Sequence, residues 1–258
     1  MALQHIGPLS FDDGGTGGMP VIFVHSLAGN TSQWSAQLGH LRKSRRAIAI
    51  DLRGHGLSQP PADGDYSIEA LARDIDTVVT GIGVSEFVLA GHSMGAIVSL
   101  AYAHAQPGRV AGILLADPAG DLRKVPEEEI RQFMKAVESD AYADAIEAWW
   151  NEMLSGSNEA VSSRVIRDLR STPRETVVGI FKALLHHDPL ASLSTYRGPI
   201  LSIVTPFNDA PYSLHRLHPA LPHRQVSGTG HWLQLDKPGE FNRLMDEFLL
   251  SVNNRLTG

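Results

Sequence analysis

Five short apolar runs constrain the fold of this chain more than any other feature: residues 21–24, 47–50, 87–90, 113–116 and 200–204. Each has the length of a strand and is rich in Val, Ile or Leu. None shows the polar alternation of a strand with one wet face, so each reads as a parallel strand covered on both sides. Helical stretches separate them. Residues 68–79 place Ile68, Leu71, Ile75 and Val78 on one face, and residues 94–105 form a small-residue helix stopped by Pro107-Gly108. Strands alternating with helices predict a mostly parallel, doubly wound α/β sheet.

The alternation breaks between about residues 121 and 190, where four helical stripes follow one another with no strand between them. They carry Ile130, Phe133, Met134 and Val137; Tyr142, Ile146, Trp149 and Met153; Val161, Val165 and Leu169; and Val177, Phe181 and Leu184. Asp140 and Asn158 are candidate N-caps, and Thr172-Pro173-Arg174-Glu175 reads as a capping box with proline at the first helical position. Glu127-Glu128-Glu129 suits a first helical turn, where it complements the dipole. An all-helical insertion at 121–190 therefore interrupts a core made of residues 1–120 and 191–258. Past it, a short strand is expected at 225–227 and a last helix from about 238 to 252.

Chemistry concentrates where the run 87–90 meets Gly91-His92-Ser93-Met94-Gly95 and the helix beyond it. Strand, tight turn and helix with G-x-S-x-G on the turn hold a serine in a strained backbone. The flanking glycines are needed because a Cβ would collide with neighbouring backbone. The hydroxyl is then presented at the carboxyl end of the sheet, where α/β folds bind ligands.

With this elbow, the chain resembles the α/β-hydrolase superfamily, in particular its small capped esterases, lactonases, carbon-carbon hydrolases and cofactor-free haloperoxidases. Three further segments carry the resemblance. Residues 23–29, Phe-Val-His-Ser-Leu-Ala-Gly, with Trp34 resemble the oxyanion loop; 51–58, Asp-Leu-Arg-Gly-His-Gly-Leu-Ser, resemble the D-x-R-G-x-G-x-S turn; and Gly228-Thr229-Gly230-His231-Trp232 resembles the loop of the catalytic histidine. The implied fold is that of the α/β hydrolases, with the helical insertion placed as a cap after the sixth strand.

A serine hydroxyl is a weak nucleophile at neutral pH and needs a base, and the base needs an acid to hold its tautomer. The resemblance makes Ser93 the nucleophile and His231 the base. His92 is too close in sequence to turn back onto Ser93, and His25 is expected to brace the oxyanion loop. The acid is expected just past residues 200–204. There Asn208 fits the family spacing and cannot ionise, which leaves Asp209 as the favoured acid and Asp117, at the end of 113–116, as its rival. Asp51 reads as structural, with Arg53 nearby.

Oxyanion donors are the backbone N–H groups of Met94, by its place after the nucleophile, and of Leu27, by resemblance. One departure stands out: the usual His-Gly before that donor is His25-Ser26 here. The Ser26 hydroxyl is expected either to add a hydrogen bond to oxyanion or substrate or to narrow the pocket. Trp149, Trp150 and Phe181, with Met134 and Met153, are candidates to line an apolar substrate pocket, against the alternative that they are core.

The formal charge of −6 argues against a nucleic-acid partner. The absence of cysteine removes disulfides, thiolate nucleophiles and Cys-based zinc sites. His186-His187-Asp188 reads as a helix end in preference to a metal site, and no cofactor is expected. No signal-like or spanning apolar stretch is evident, so no membrane association and a cytoplasmic address are expected. The function expected is hydrolysis of an ester or lactone of a small, largely apolar molecule. The rivals are carbon-carbon bond hydrolysis of a diketone, cofactor-free perhydrolysis, and ligand reception with little turnover.

Overall fold

A computed structural model describes residues 3–257; residues 1, 2 and 258 of the expected core lie outside the described residues. The chain opens with β1 (Gln4–Ile6) and β2 (Leu9–Gly14), followed by β3 (Val21–Val24), α1 (Ser35–Leu41), β4 (Ala47–Asp51), α2 (Ile68–Gly81), β5 (Phe87–His92), α3 (Met94–Ala105) and β6 (Val110–Ala116). Four consecutive helices form the insertion: α4 (Glu127–Val137), α5 (Tyr142–Met153), α6 (Glu159–Ser171) and α7 (Arg174–His186). The chain then runs through α8 (Pro189–Thr195), β7 (Ile200–Val204), α9 (Leu214–Leu217), β8 (His223–Gln225), α10 (Leu233–Asp236) and α11 (Pro238–Thr257).

The eight strands make one sheet in the order β1-β2-β4-β3-β5-β6-β7-β8. The β1/β2 hairpin joins β4 antiparallel, and every pairing from β4 to β8 is parallel. The insertion comes after the sixth strand. Alternate residues of each central strand feed two apolar layers, which is why the sequence shows no alternation. Ile22, Ile48, Leu89 and Ile113 face α2 and α3, whereas Phe23, Ala49, Ala90 and Leu114 face α1 and α11. Most buried apolar residues of the insertion, among them Val137, Trp150 and Val165, belong to the first of these layers.

Local differences from the sequence reading have plain causes. The antiparallel hairpin at residues 4–14 carries no long apolar run, so the sequence pattern does not predict it. β8 is all exposed, so no apolar run marks it, and it lies two residues before its expected place. The Asn158 side chain accepts from Val161 N as an N-cap. Asp140 does not cap α5: its N-cap is Ala141, with no side-chain hydrogen bond. Thr172 does not cap α7, because its hydroxyl donates back to the Asp168 carbonyl and Pro173 precedes the helix. No helix among the described residues is long and apolar enough to cross a membrane.

Candidate active site

Ser93 sits between β5 and α3 with φ 54° and ψ −115°, a left-handed conformation that costs an L-residue about 1–3 kcal/mol. Close packing over-determines it. A Cβ on Gly91 would lie 2.3 Å from the Gly95 carbonyl oxygen, and one on Gly95 would lie 2.4 Å from the carbonyl oxygens of both Val24 and His25. The turn is therefore wedged between its own helix and the end of β3. Ser93 makes no side-chain cap to α3, so its hydroxyl is not spent on the helix.

His231 lines the same cavity as Ser93. Its Nδ1 is 2.6 Å from Asp117 Oδ2, which fixes Nδ1 as the protonated nitrogen and leaves Nε2 as a bare acceptor. Asp117 is completely buried at the end of β6, where Oδ1 accepts from Thr205 N (2.7 Å) and Oδ2 from Thr205 Oγ1 (2.8 Å). Those two donors fix the carboxylate in place against the imidazole.

The expectation for Asp209 is corrected by this geometry. Its carboxylate is about half exposed and forms a two-pronged pair with Arg216, at 2.5 and 2.8 Å, just past the Pro206–Asn208 turn. Hydrogen bonding to Arg216 holds its pKa below the usual carboxylate value. The segment after β7 contributes no acid to the site; Thr205 instead supplies the donors that hold Asp117. Asn208 is also structural, donating through Nδ2 to the Pro118 carbonyl at 2.6 Å.

The histidine loop is anchored on several sides. His231 N–H donates to Met153 O in the insertion (2.9 Å), and the His231 carbonyl accepts from His92 Nε2–H (2.9 Å). Burial keeps the His92 imidazole well below its ordinary pKa and so neutral. Asp236 clasps the loop to the turn between α5 and α6. It accepts from Gly230 N (3.2 Å) and Ser157 Oγ (2.7 Å), lies 2.9 Å from Thr229 Oγ1, and also binds Asn158 N and Nδ2.

On the other wall, the Leu27 and Met94 backbone N–H groups donate to no protein acceptor among the described residues, and both residues line the cavity. His25 and His55 brace the loop that carries Leu27. His25 Nε2 accepts from Leu52 N (3.0 Å) and its Nδ1–H donates to Ser26 O (2.7 Å); His55 Nε2 accepts from Ala28 N (3.1 Å) and its Nδ1–H donates to Arg53 O (3.0 Å). Burial lowers their pKa values to about 4 and about 3. Asp51 accepts from Thr31 N and Leu57 N, but Arg53 pairs with Asp74 at 2.6 Å and not with Asp51. The Ser26 hydroxyl is turned toward Gln33 Oε1, 3.3 Å away.

The cavity has a volume of about 190 Å³. Trp149, Trp150 and Met153 of α5 and Phe181 of α7 close it from the insertion side, with Ser26 on the core side; Met134 does not line it. Among the described residues, no Lys, Arg, Asp or Glu contributes to its walls. A more open cleft of about 700 Å³ lies between α2, α3 and the α7–α8 corner, far larger but without Ser93 or His231. In that cleft His187 binds Glu69 (3.1 Å) and Asp188 caps α8. The described residues contain no cluster of three or more His, Cys, Asp or Glu able to hold a metal.

The family model described as alpha/beta hydrolase fold matches residues 19–238. The chain belongs to that family. This α/β hydrolase is 27% identical to the mouse protein named sn-1-specific diacylglycerol lipase ABHD11, over 94% of this chain and 85% of that one. It is similar to the structure of a thermophilic esterase from Thermogutta terrifontis (TM-score 0.79, 26% identity, 95% and 93% of the two chains covered). It also shares its fold with a bromoperoxidase from Bacillus anthracis (TM-score 0.83, 20% identity, 93% and 95% covered). The α/β hydrolase is thus an enzyme of the serine-hydrolase, carboxylesterase-like type. Nothing in the local sequence of His92, Thr205, Gln33 or Asp236 signals the distant partners that their side chains meet.

Proposed function

We propose that this enzyme hydrolyses small, uncharged, largely apolar carboxylic esters or lactones through an acyl-enzyme on Ser93, with His231 as base and Asp117 as the acid that orients it. The observation that carries the reading is the 2.6 Å contact of His231 Nδ1 with buried Asp117, in a site where Ser93 and two unpaired backbone N–H groups line the same cavity.

The chemistry runs in two halves. His231 Nε2 takes the Ser93 proton as Oγ attacks the carbonyl carbon, and the oxygen gains the charge that the Leu27 and Met94 N–H groups stabilise. Each such donor contributes about 3 kcal/mol at the transition state. Collapse breaks the bond to the alkoxy oxygen, which leaves with the proton from His231. Water, deprotonated by the same imidazole, then attacks the acyl carbon, the bond to Ser93 Oγ breaks to release the acid, and His231 returns the proton to Oγ. The buried site lets fixed dipoles act without reorganising solvent.

Two features favour the substrate class. Walls without a charged side chain leave a substrate carboxylate or ammonium unpaired and desolvated, which is costly. A cavity of about 190 Å³ is below the roughly 300–1,000 Å³ that suits drug-sized ligands, which favours short acyl groups over the long chains of a diacylglycerol. The test is a panel of aryl esters of rising acyl length beside dicarboxylic monoesters and vinylogous diketones. Preference for short neutral esters supports the reading; preference for charged esters or for the diketones overturns it.

A further inference from the structure

We propose that Gln33 is a positioning residue for the oxyanion hole, and that it couples the hole to helix α6 of the insertion through Asp168. The inference rests on the reading of Ser93 as nucleophile and Leu27 as oxyanion donor.

The departure at Ser26 is where the coupling begins. The Ser26 side chain, buried at the rim of the cavity, donates to Gln33 Oε1 at 3.3 Å. Gln33 is itself 1% exposed, and its Nε2 donates to Asp168 Oδ2 at 2.8 Å, across 135 residues of chain. A carboxylate only accepts, so the amide nitrogen must face Asp168 and the amide oxygen must face the Ser26 hydroxyl. The network has one consistent direction, from the oxyanion loop through Gln33 to α6.

Packing holds the amide against the loop. A Cβ on Gly29 would lie 2.6 Å from Gln33 Oε1 and 2.9 Å from the Ser26 carbonyl oxygen, so this glycine is what lets the two approach. The Ser26 carbonyl already accepts from His25 Nδ1–H (2.7 Å) and Gly29 N (2.9 Å). In a trans peptide the Leu27 N–H points opposite to that carbonyl. Whatever fixes the Ser26–Leu27 peptide therefore aims the oxyanion donor. The two carbonyl contacts fix it from within the loop, and the hydroxyl contact fixes it from the insertion. Arg164, also on α6, donates to the Ser32 carbonyl next to Gln33, so the helix is tied to this turn at two points.

The oxyanion exists only in the transition state, so a loosened donor lowers kcat and leaves KM nearly unchanged. The experiment compares Gln33→Met, Asp168→Ala, Asp168→Asn and the Gln33→Met/Asp168→Ala double variant on a short neutral ester, with unfolding midpoints and a Ser93→Ala control. Asp168 is only partly buried, so its variants keep the test decisive should Gln33→Met fail to fold. Expected are a loss of about tenfold in kcat for Asp168→Ala and Gln33→Met with KM within about threefold, and a double variant no slower than Gln33→Met alone. Asp168→Asn, which retains an acceptor for Nε2, stays near wild type. The proposal is overturned if Asp168→Ala keeps wild-type kcat, if the loss appears in KM alone, or if the two losses add. A Ser93→Ala protein that remained active would instead sink the reading of the site on which this inference rests.

Discussion

Asp117 Oδ2 and His231 Nδ1 lie 2.6 Å apart although 114 residues separate them in the chain. The contact closes because β6 ends beside β7 and the histidine loop returns over both. Asp117 has φ 40°, a conformation uncommon for an L-residue, and its N–H donates to the Ile203 carbonyl at 2.7 Å. The backbone is bent there to aim a carboxylate, and the bend is held by the neighbouring strand.

The first prediction separates the two aspartates. Asp117→Asn lets the side-chain amide select the wrong imidazole tautomer, and kcat falls by about a thousand- to ten-thousand-fold. Asp209→Asn releases an exposed pair with Arg216 and a longer contact with His215, both away from the cavity that holds Ser93 and His231, and steady-state ester hydrolysis stays within about twofold. The reverse ranking would refute the assignment of the acid.

The elbow glycines set a stability prediction. Gly95→Ala places a methyl group 2.4 Å from two carbonyl oxygens at the end of β3, and neither can retreat from the centre of the sheet. A destabilisation of about 4 kcal/mol or more is expected, read as loss of soluble protein or a large fall in the denaturant midpoint. A folded, active Gly95→Ala protein would show that the turn is less tightly wedged than the packing implies.

How much of the fold and site is legible in the sequence depends on the range of each signal. The buried parallel strands and the elbow announce themselves within a few residues, as apolar runs and as a glycine-flanked serine. Asp117 and Asp209 each come one to five residues after a strand, and only the three-dimensional path decides between them. Thr205 is visible in the sequence as the residue that ends the run 200–204, but its meaning as a double donor to Asp117 needs the register of β6 and β7. Gln33–Asp168 and Asp236–Ser157 join segments that share no local pattern at all.

Buried histidines give a pH prediction with a definite sign. His25 and His55 have folded pKa values of about 4 and about 3, below their ordinary 6.5. The unfolded chain therefore binds more protons than the folded one between these values. Their contribution to stability is complete above about pH 6.5 and is lost as pH falls toward 4, by up to about 1.4 kcal/mol per pH unit for each histidine. Urea unfolding at stepped pH should show this slope, and His55→Gln should flatten it. An unchanged slope in that variant would contradict the account of how the oxyanion loop is braced.

Pocket size predicts specificity. Trp149 and Phe181 pack edge to face at 5.4 Å and together close the insertion side of the cavity. Trp149→Ala should move the preferred acyl chain to longer esters, raising kcat/KM for them while lowering it for acetate. Unaltered chain-length preference would place the acyl group elsewhere.

The central claim is a covalent intermediate on Ser93, and acid quench of the enzyme during turnover of a short activated ester, followed by peptide mass spectrometry, tests it most directly. The account predicts an acyl group on the peptide that contains Ser93, accumulating before steady state and absent from Ser93→Ala. Full turnover by Ser93→Ala, or an acyl group carried only by another residue, would contradict it.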